Sequence, residues 1–486
     1  MKKYITKSEV HKHAREILDI PLGEITNQLS VSNQKNSVGD IFEEWFGKKK
    51  DSASKPDLSD VGIELKATPY KILKNGKYSA KERLVLNIIN YMDIVDENFE
   101  DSHFLFKNSV IEIAFYEYLS KIPRNFWTIS EVILYEMSKN PKDFVIIQQD
   151  WKLIQRYVRQ GRADELSESL TTYLAACTKG QTANTMRTQP YSDKLAKQRA
   201  FSLKSGYMTF LLRNYIFGDG YVESIVKNPN ELNKKGLNDI VLDKFNMYQD
   251  MPIPQLLKLF NISSTSKQVL YQLAAAILGL SKDKAKRNFD FVEEFSKAAM
   301  ILKTVKFDAG GHNKESMSFP AFKFTEIVEE EWNDDDGNPS ASFHNLLLDS
   351  TFILFVVQTN IEGVDVFKGI KFFNVSSEDI EGDIKYVWED TVQKLRQGVV
   401  LNGKRGVNGY RVTNNFIKKS DDLIIHVRPH SQLSGYNSLR PDANLLPNRA
   451  HWINKPDSSY SDYWMTKQSF WFNNDYIKKQ VQELLI

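Results

Sequence analysis

The feature that most constrains the fold is a change of hydrophobic period between residues 37 and 68. From Ser37 to Lys48 the apolar side chains recur every three or four residues, which is typical of an amphipathic helix. From Val61 to Thr68 apolar and polar side chains alternate, which is typical of a half-buried strand that ends at Pro69. A helix followed so closely by a strand predicts an α/β fold in which helices flank a mixed sheet.

The chain is too long for one ordinary core, because its 486 residues exceed the usual size of a domain. Glycine, proline and asparagine interrupt the hydrophobic pattern between Phe217 and Gly236. We therefore predict a first domain at residues 1–220, a linker at 221–236 and a second domain at 237–486. In the first domain we predict further strands at Leu84–Ile89 and Ser109–Tyr116, and helices at Ile129–Lys139 and Ala163–Tyr173.

The order of element types repeats in the second domain. Helices are predicted within Pro254–Leu280 and Lys385–Gln397, and strands at Ser318–Phe324 and Phe352–Val357. Near the end of each half a segment that includes Arg199 or Lys467 precedes a Tyr-Met or Tyr-Ile pair, at Thr185–Met208 and at Tyr436–Ile477. An internal duplication of low identity is the simplest explanation.

Composition excludes several classes of protein. The 41% hydrophobic and 26% charged residues exclude a disordered or fibrous chain. The single cysteine, Cys177, excludes an intramolecular disulfide framework and suits a reducing compartment, so we expect a cytoplasmic location. We expect no membrane contact, because no apolar run approaches 18 residues. The glycine-rich phosphate loop of ATP-using enzymes does not occur, so no ATP requirement is expected.

The residues with the clearest chemical potential are Asp57, Glu64 and Lys66. Side chains two apart on a strand share a face, so Glu64 and Lys66 point the same way, while Pro56-Asp57 adds a second acid just upstream. Phosphodiester hydrolysis needs a hard cation, an activated water and a positive group beside the developing charge. Two carboxylates suit Mg²⁺, and a lysine can orient the water or neutralise the transition state.

The same triplet also arises by chance. Asp383-Ile384-Lys385 has the acid and the lysine but no upstream Pro-Asp, and Ser376 stands seven positions before its acid. Exposed strand charges are therefore an alternative interpretation of Glu64 and Lys66 when these residues are taken alone.

A basic stripe lies between Ala176 and Tyr215, where seven basic residues accompany one acid, Asp193. Such a stripe can follow a phosphate backbone or read guanine in the major groove, although a solvated basic face is the ordinary alternative. The basic residues are Lys179, Arg187, Lys194, Lys197, Arg199, Lys204 and Arg213.

The surrounding sequence resembles the MutH-type endonucleases, and within them the two-domain type II restriction enzymes that cut at GATC. The resemblance is carried by Ser37–Gly47, Ser54–Asp57, Gly62–Pro69 and Arg199–Met208. Matching positions are frequent up to about Tyr215 and fewer after it. The resemblance implies two MutH-like domains, each a mixed central sheet flanked by helices.

The resemblance also implies roles for individual residues. Asp57 and Glu64 would be metal ligands with the main-chain carbonyl of Leu65, Lys66 would be the catalytic lysine, and Glu43 would be a further acid of the site. Glu43 could equally be a solvated charge, because it lies off the centre of its helix's apolar stripe. DNA-binding positions implied in the same way are Lys35, Lys107, Arg187, Lys197, Arg199, Ser202 and Lys204.

In the second domain the chemistry is expected to be lost. If Ser318–Lys323 corresponds to the Gly62–Lys66 segment, Ala321 replaces Glu64, Lys323 replaces Lys66 and Lys314 replaces Asp57. Similar enzymes use such a domain to bind a second copy of the site and to associate. Its basic and aromatic residues are compatible with DNA binding, although aromatic clusters more often form a core, and no individual contact is assigned; they are Arg428, Arg440, Lys467, Trp464, Phe470 and Trp471.

The sequence thus favours a Mg²⁺-dependent type II restriction endonuclease that acts on double-stranded GATC DNA, leaves 5′-phosphate ends and self-associates on DNA with two sites per assembly. One alternative is a mismatch-repair nickase that cuts one strand at GATC, although such nickases are single-domain. Another is a catalytically silent DNA-binding regulator in which Asp57, Glu64 and Lys66 are surface charges.

Overall fold

A computed structural model gives the architecture of the chain and describes residues 3–26, 37–48, 54–73, 76–119, 121–180, 185–218, 221–285, 289–335, 337–407 and 409–485. It is a mixed α/β structure with several sheets flanked by helices. In the described ranges no helix is both long and apolar enough to cross a membrane.

The first half is built on a mixed four-stranded sheet and a smaller antiparallel sheet. Its helices are α1 Lys7–Arg15, α2 Leu22–Ile25, α3 Ser37–Trp45, α4 Tyr91–Ile94, α5 His103–Asn108, α6 Pro141–Arg159 and α7 Ser205–Leu211. Its strands are β1 Glu64–Ile72, β2 Tyr78–Ala80, β3 Leu84–Ile88, β4 Val110–Glu117, β5 Ile129–Glu136, β6 Leu174–Thr178, β7 Met186–Gln189, β8 Ser192–Lys197 and β9 Arg199–Leu203.

The second half contains the remaining elements. Its helices are α8 Leu237–Asn246, α9 Ile253–Leu259, α10 Val269–Ile277, α11 Glu293–Ala298, α12 Phe324–Ile327, α13 Ser342–Asp349, α14 Ser377–Asp379, α15 Lys385–Gln397 and α16 Asn474–Val481. Its strands are β10 Met300–Phe307, β11 Met317–Ser318, β12 Thr351–Thr359, β13 Asp365–Phe373, β14 Val400–Gly406, β15 Gly409–Asn414, β16 Ile425–Pro429, β17 Ala443–Leu445, β18 His451–Asn454, β19 Trp464–Thr466 and β20 Gln468–Phe472.

The strand order shows that the two halves repeat one topology. In the first half β1 runs parallel to β4, and β4 pairs antiparallel with β5. In the second half β10, β12 and β13 pair in the same way. The smaller sheets have the orders β3-β9-β6 and β11-β20-β16. The predicted correspondence of the Arg199 and Lys467 segments is therefore confirmed, because β9 and β20 hold the same central place and each is followed by a helix.

The predicted counterpart of the Gly62–Lys66 segment is wrong. Residues 317 and 318 form β11, which pairs with β20 as β3 pairs with β9, so this strand corresponds to β3 and not to β1. Phe324 already begins α12, which ends the strand predicted at Ser318–Phe324. Ala321, Lys323 and Lys314 are therefore not the counterparts of Glu64, Lys66 and Asp57.

Strand register identifies other counterparts in β10. Ser109 and Ser350 each directly precede the second strand of their half, so Ile111 corresponds to Phe352. Glu64 pairs with Ile111, and Ile301 pairs with Phe352. Ile301 therefore stands in the place of Glu64, and two residues further on Lys303 stands in the place of Lys66. An isoleucine cannot bind a metal. The second half therefore lacks the acid, as expected, but the replacing residue is Ile301 and not Ala321.

Two predicted helices of the first half are also wrong. Residues 129–136 form β5, whose buried positions Ile129, Val132 and Tyr135 are three apart. That spacing imitates a helical stripe, but the main chain pairs with β4. The Ala163–Tyr173 segment contains only two short 3₁₀ turns, at Ala163–Glu165 and Glu168–Leu170, and the long helix of this region is α6.

The largest apolar core runs through both halves. It joins Trp151 and Tyr207 of the first half to Phe245 and Phe295 of the second. The segment predicted as a linker contributes to this core, since Ile225, Val226 and Leu232 are buried in it. A second core lies within residues 305–481, and a third packs α1 and α3 against one face of β1, β4 and β5.

Buried ion pairs join the halves at two further places. Lys297 on α11 donates to both carboxylate oxygens of Asp143 on α6, at 2.8 Å. Arg83, just before β3, lies 3.2 Å from Asp349 at the end of α13. The shared apolar core and the two buried ion pairs indicate that the halves form one continuous packed body.

Candidate active site

A short loop brings Asp57 beside Glu64. Leu58 and Ile63 close the loop with paired main-chain hydrogen bonds of 2.9 and 3.3 Å. Gly62 makes the turn in the left-handed region at φ 68°, which is readily reached only without a β-carbon. The Asp57 N–H donates to Oε2 of Glu64 at 3.3 Å, so the two predicted acids meet at the start of β1.

Both acids are largely withdrawn from solvent. Glu64 is 1% exposed, because it pairs with Ile111 of the neighbouring strand β4, which is itself buried. The Asp57 side chain is 6% exposed, and its Oδ2 accepts the N–H of Leu65 at 2.9 Å. Buried carboxylates are costly unless positive groups or hydrogen bonds compensate them.

Three lysines supply that compensation. Lys66 donates to Oε1 of Glu64 at 2.7 Å, and the ammonium of Lys107 on α5 lies 3.7 Å from the same oxygen. Lys48, just beyond α3, contacts Oδ1 of Asp57. Lys66 thus lies where it was predicted, beside Glu64, and the two acids together face three positive charges.

Glu43 is a third acid in the neighbourhood. It lies on α3, which packs on β1, and is half-buried. Burial raises the pKa of Glu43, and the charge of Asp57 raises it further, while Lys48 and Lys66 lower it. The pKa of Glu43 therefore depends on the charges of Asp57, Lys48 and Lys66, although Glu43 lies on the helix that packs on β1 and not on the strand itself.

The carboxylate oxygens of Asp57 and Glu64 are ligands that suit a hard divalent cation, and such a cation keeps part of its water shell. Asp57 and Glu64 offer carboxylate oxygens that lie together at the start of β1. Across the residues that the structure describes, no group of three or more acids, histidines or cysteines forms a complete cage. Mg²⁺ is held by one or two carboxylates plus waters and substrate phosphates, so a two-carboxylate site with compensating positive charge matches this ion.

The predicted DNA-binding residues fall into two groups. Lys107 lies beside Glu64, and Arg187 and Lys197 are exposed on the hairpin formed by β7 and β8. Arg187 donates its Nε–H to the side-chain oxygen of Gln198 at 2.5 Å. Lys35 lies outside the described residues.

The remaining three predicted DNA-binding residues face the protein interior. Arg199 is 6% exposed and lies 3.3 Å from Glu168, and Ser202 and Lys204 are fully buried. Lys204 donates to the main-chain oxygen of Asp349 at 3.1 Å, and burial lowers its pKa to about 8. The Arg199 and Lys204 side chains bond to neighbouring elements, and the Ser202 hydroxyl is buried, so the structure does not support the expectation that these three residues contact DNA.

Lys48 is the member of the site that the sequence pattern did not single out. It belongs to the run Gly47-Lys48-Lys49-Lys50, and a glycine followed by basic residues is typical of the end of a helix. Its closeness to Asp57 depends on the loop before β1, and only a known loop conformation could have revealed it.

Taken together, the fold and the pairing of Asp57, Glu64 and Lys66 on β1 define a nuclease of the MutH-like, restriction-endonuclease type. The family model described as DNA mismatch repair enzyme MutH matches residues 46–150. This range includes β1, β4 and β5 and all three of these residues.

Full-length similarity then identifies the family. The chain is 54% identical to the type II restriction enzyme Sau3AI of Staphylococcus aureus over 490 residues, covering 100% of both chains. It is 23% identical to the DNA mismatch repair protein MutH of Pasteurella multocida, over 36% of this chain and 79% of that protein. The corresponding values for MutH of Shewanella woodyi are 24%, 43% and 91%. The chain belongs to the family of type II restriction enzymes that includes Sau3AI.

Proposed function

We propose that this chain is a type II restriction endonuclease that cleaves double-stranded DNA at GATC with Mg²⁺ as its metal ion and leaves 5′-phosphate ends. Members of this class act on double-stranded DNA with a divalent metal. The observation that carries the proposal is the convergence of Asp57, Glu64 and Lys66 at one end of β1. The choice of GATC rests on the full-length similarity and on the motifs in residues 37–69 and 199–208.

The proposed roles follow from the geometry. Asp57 and Glu64, with the Leu65 carbonyl, would hold the divalent ion, and the hydrogen bond from Leu65 fixes the direction of the Asp57 carboxylate. When bound, such an ion polarises the phosphoryl oxygen and helps to generate the attacking hydroxide. Lys66 would orient the attacking water and offset the negative charge that develops on the phosphate. Glu43 would add to the negative field that attracts the cation.

Lys107 and Lys48 would act mainly by neutralising the negative charge of the two carboxylates. Their ammonium groups keep two carboxylates stable next to each other, and both can turn toward phosphate oxygens when the acids are occupied by metal. Arg187 and Lys197, exposed on the β7–β8 hairpin, are the best placed of the predicted DNA contacts.

We further propose that the second half binds a second GATC site and that two chains associate on DNA. One active centre per chain cuts one strand, so double-strand cleavage of a palindrome suits a twofold arrangement. In the second half Ile301 replaces the acid of the site, which leaves binding as its role.

The deciding experiment is digestion of unmethylated plasmids that carry one or two GATC sites, followed by sequencing of the ends. Linear products cut at GATC, with faster cleavage of the two-site plasmid, are expected. Accumulation of open-circle DNA alone would instead identify a nickase. Cleavage that survives Glu64→Ala would refute the assigned site, and absence of cleavage by the wild-type chain at all metal concentrations would favour a silent regulator.

A further inference from the structure

A basic β-hairpin in the second half is not accounted for by the active site. It is formed by β14 and β15 and lies between α15 and β16. At the corresponding place in the first half, between α6 and β6, the described chain has only short 3₁₀ turns. The hairpin is therefore an addition to the repeated topology and not part of the shared framework.

The hairpin belongs to a segment whose charged residues are all basic. Between residues 391 and 420 there is no aspartate or glutamate. Lys404, Arg405 and Arg411 are all exposed near the outer end of the hairpin, and Val407 at its tip is fully exposed. Among the described residues none of the three basic side chains has an acidic partner.

The pairing register places two of these charges directly opposite each other. Lys404 pairs with Arg411 across the hairpin, and like charges at such positions destabilise a sheet. A fold that retains two opposed cations at an exposed tip is suited to a polyanion that bridges them.

The face that carries this pair has the chemistry for reading DNA. Side chains alternate along each strand, so Asn402 and Thr413 share the face of Lys404 and Arg411. Asn454 of β18 extends this polar face, since its amide donates to the Asn402 side chain at 3.0 Å. Amides of this kind pair with adenine and arginine pairs with guanine.

The opposite face anchors the hairpin. Leu401 is buried in the core of residues 305–481, and Val412 packs against that core. Gly403 allows the close approach of β18, because a β-carbon there would lie 2.6 Å from the Asn454 oxygen. A two-stranded ribbon with one anchored face and one polar, basic face has the dimensions that the major groove of B-DNA accepts.

We propose that this hairpin is the element with which the second half enters the major groove of a DNA duplex, with Lys404 and Arg411 on the phosphates and bases. The inference rests on the proposed function only for the identity of the partner. It assigns the second site to a specific surface, which is distinct from the β7–β8 hairpin of the first half.

The test measures binding of a short GATC duplex to the full-length Glu64→Ala chain over sodium chloride from about 50 to 200 mM. The double variant Lys404→Ala/Arg411→Ala is compared with Lys152→Ala/Arg156→Ala, which removes the same two residue types from exposed positions on α6. Loss of two phosphate contacts is expected to make the slope of log K against log salt shallower by about 2, with one duplex bound per chain instead of two. The control is expected to bind like the parent.

Binding with unchanged slope and stoichiometry in the hairpin variant would overturn the proposal. So would unchanged DNA binding together with increased self-association, because the charges would then serve only to protect an edge strand. Cleavage of a GATC plasmid by the wild-type chain is measured in parallel. Failure of that cleavage counts against the proposed function alone, since the binding measurement does not depend on catalysis.

Discussion

The N–H of Leu65 donates to Oδ2 of Asp57 at 2.9 Å, so the residue between Glu64 and Lys66 fixes the acid that lies eight positions upstream. This bond ties the loop to the strand and aims both carboxylates at one place. It also means that the carboxylate charge of Asp57 can be removed without removing the acceptor, because an asparagine oxygen can take the same hydrogen bond.

Asp57→Asn is therefore expected to keep its fold, with lower stability because Lys48 loses its partner charge, and to lose cleavage by at least about 100-fold, since the ion it would hold contributes several kcal/mol to the transition state. Single-turnover cleavage of a GATC duplex measures the effect. Asp60→Asn, an exposed acid in the same loop, is the matched control and should cleave like the wild type. Equal rates for the two variants would remove Asp57 from the site.

Lys48 gives a prediction about stability. It contacts the buried Asp57 carboxylate, and removal of one partner from a buried ion pair costs about 3 kcal/mol. Lys48→Met is expected to unfold more easily than the wild type in metal-free buffer. Added Mg²⁺ should restore more stability to the variant than to the wild type, because the cation can replace the lost charge.

Thermal unfolding with EDTA and with Mg²⁺ measures both effects. Lys55→Met is the control, because Lys55 is an exposed lysine close in sequence to Asp57. If Lys48→Met and Lys55→Met showed the same small changes in both buffers, the pairing of Lys48 with Asp57 would not contribute to stability.

The sequence predicts the helix and strand that carry the site because their periods differ clearly. It does not predict β5, because the buried residues of that strand fall three apart and imitate a helix. It identifies Glu64 and Lys66 because strand alternation is local. It does not separate exposed Lys197 from buried Lys204, because the burial of Lys204 depends on Asp349, which lies in the other half.

That separation can be tested directly. Lys197→Ala is expected to make the salt dependence of DNA binding shallower by about 1, as the loss of one phosphate contact should. Lys204→Met should leave it unchanged, because the Lys204 ammonium already bonds to the main chain of Asp349 inside the protein. Fluorescence anisotropy at several salt concentrations measures both slopes. A shallower slope for the folded Lys204→Met variant would show that this lysine leaves the interior to reach DNA.

Glu112 predicts how stability depends on pH. It is fully buried on β4, where its Oε1 lies 2.8 Å from Nδ1 of His11, and its other oxygen has no partner in the described part of the chain. Burial raises the pKa of Glu112 from 4.5 to about 7, and His11 only partly opposes this shift. The folded chain therefore holds a proton between about pH 4.5 and 7 that the unfolded chain has released, so the free energy of unfolding falls as pH rises through that interval.

Glu112→Gln keeps this side chain neutral at every pH, so it should remove most of that decline. Each pKa unit corresponds to about 1.4 kcal/mol, so the variant is expected to be about 3 kcal/mol more stable than the wild type at about pH 8 and within about 1 kcal/mol of it at about pH 5. Urea unfolding across this range measures the difference, with Glu117→Gln at the end of the same strand as the control. Parallel stability curves for the wild type and Glu112→Gln would show that Glu112 stays ionised in the folded chain, because only a group that takes up a proton on folding produces the slope.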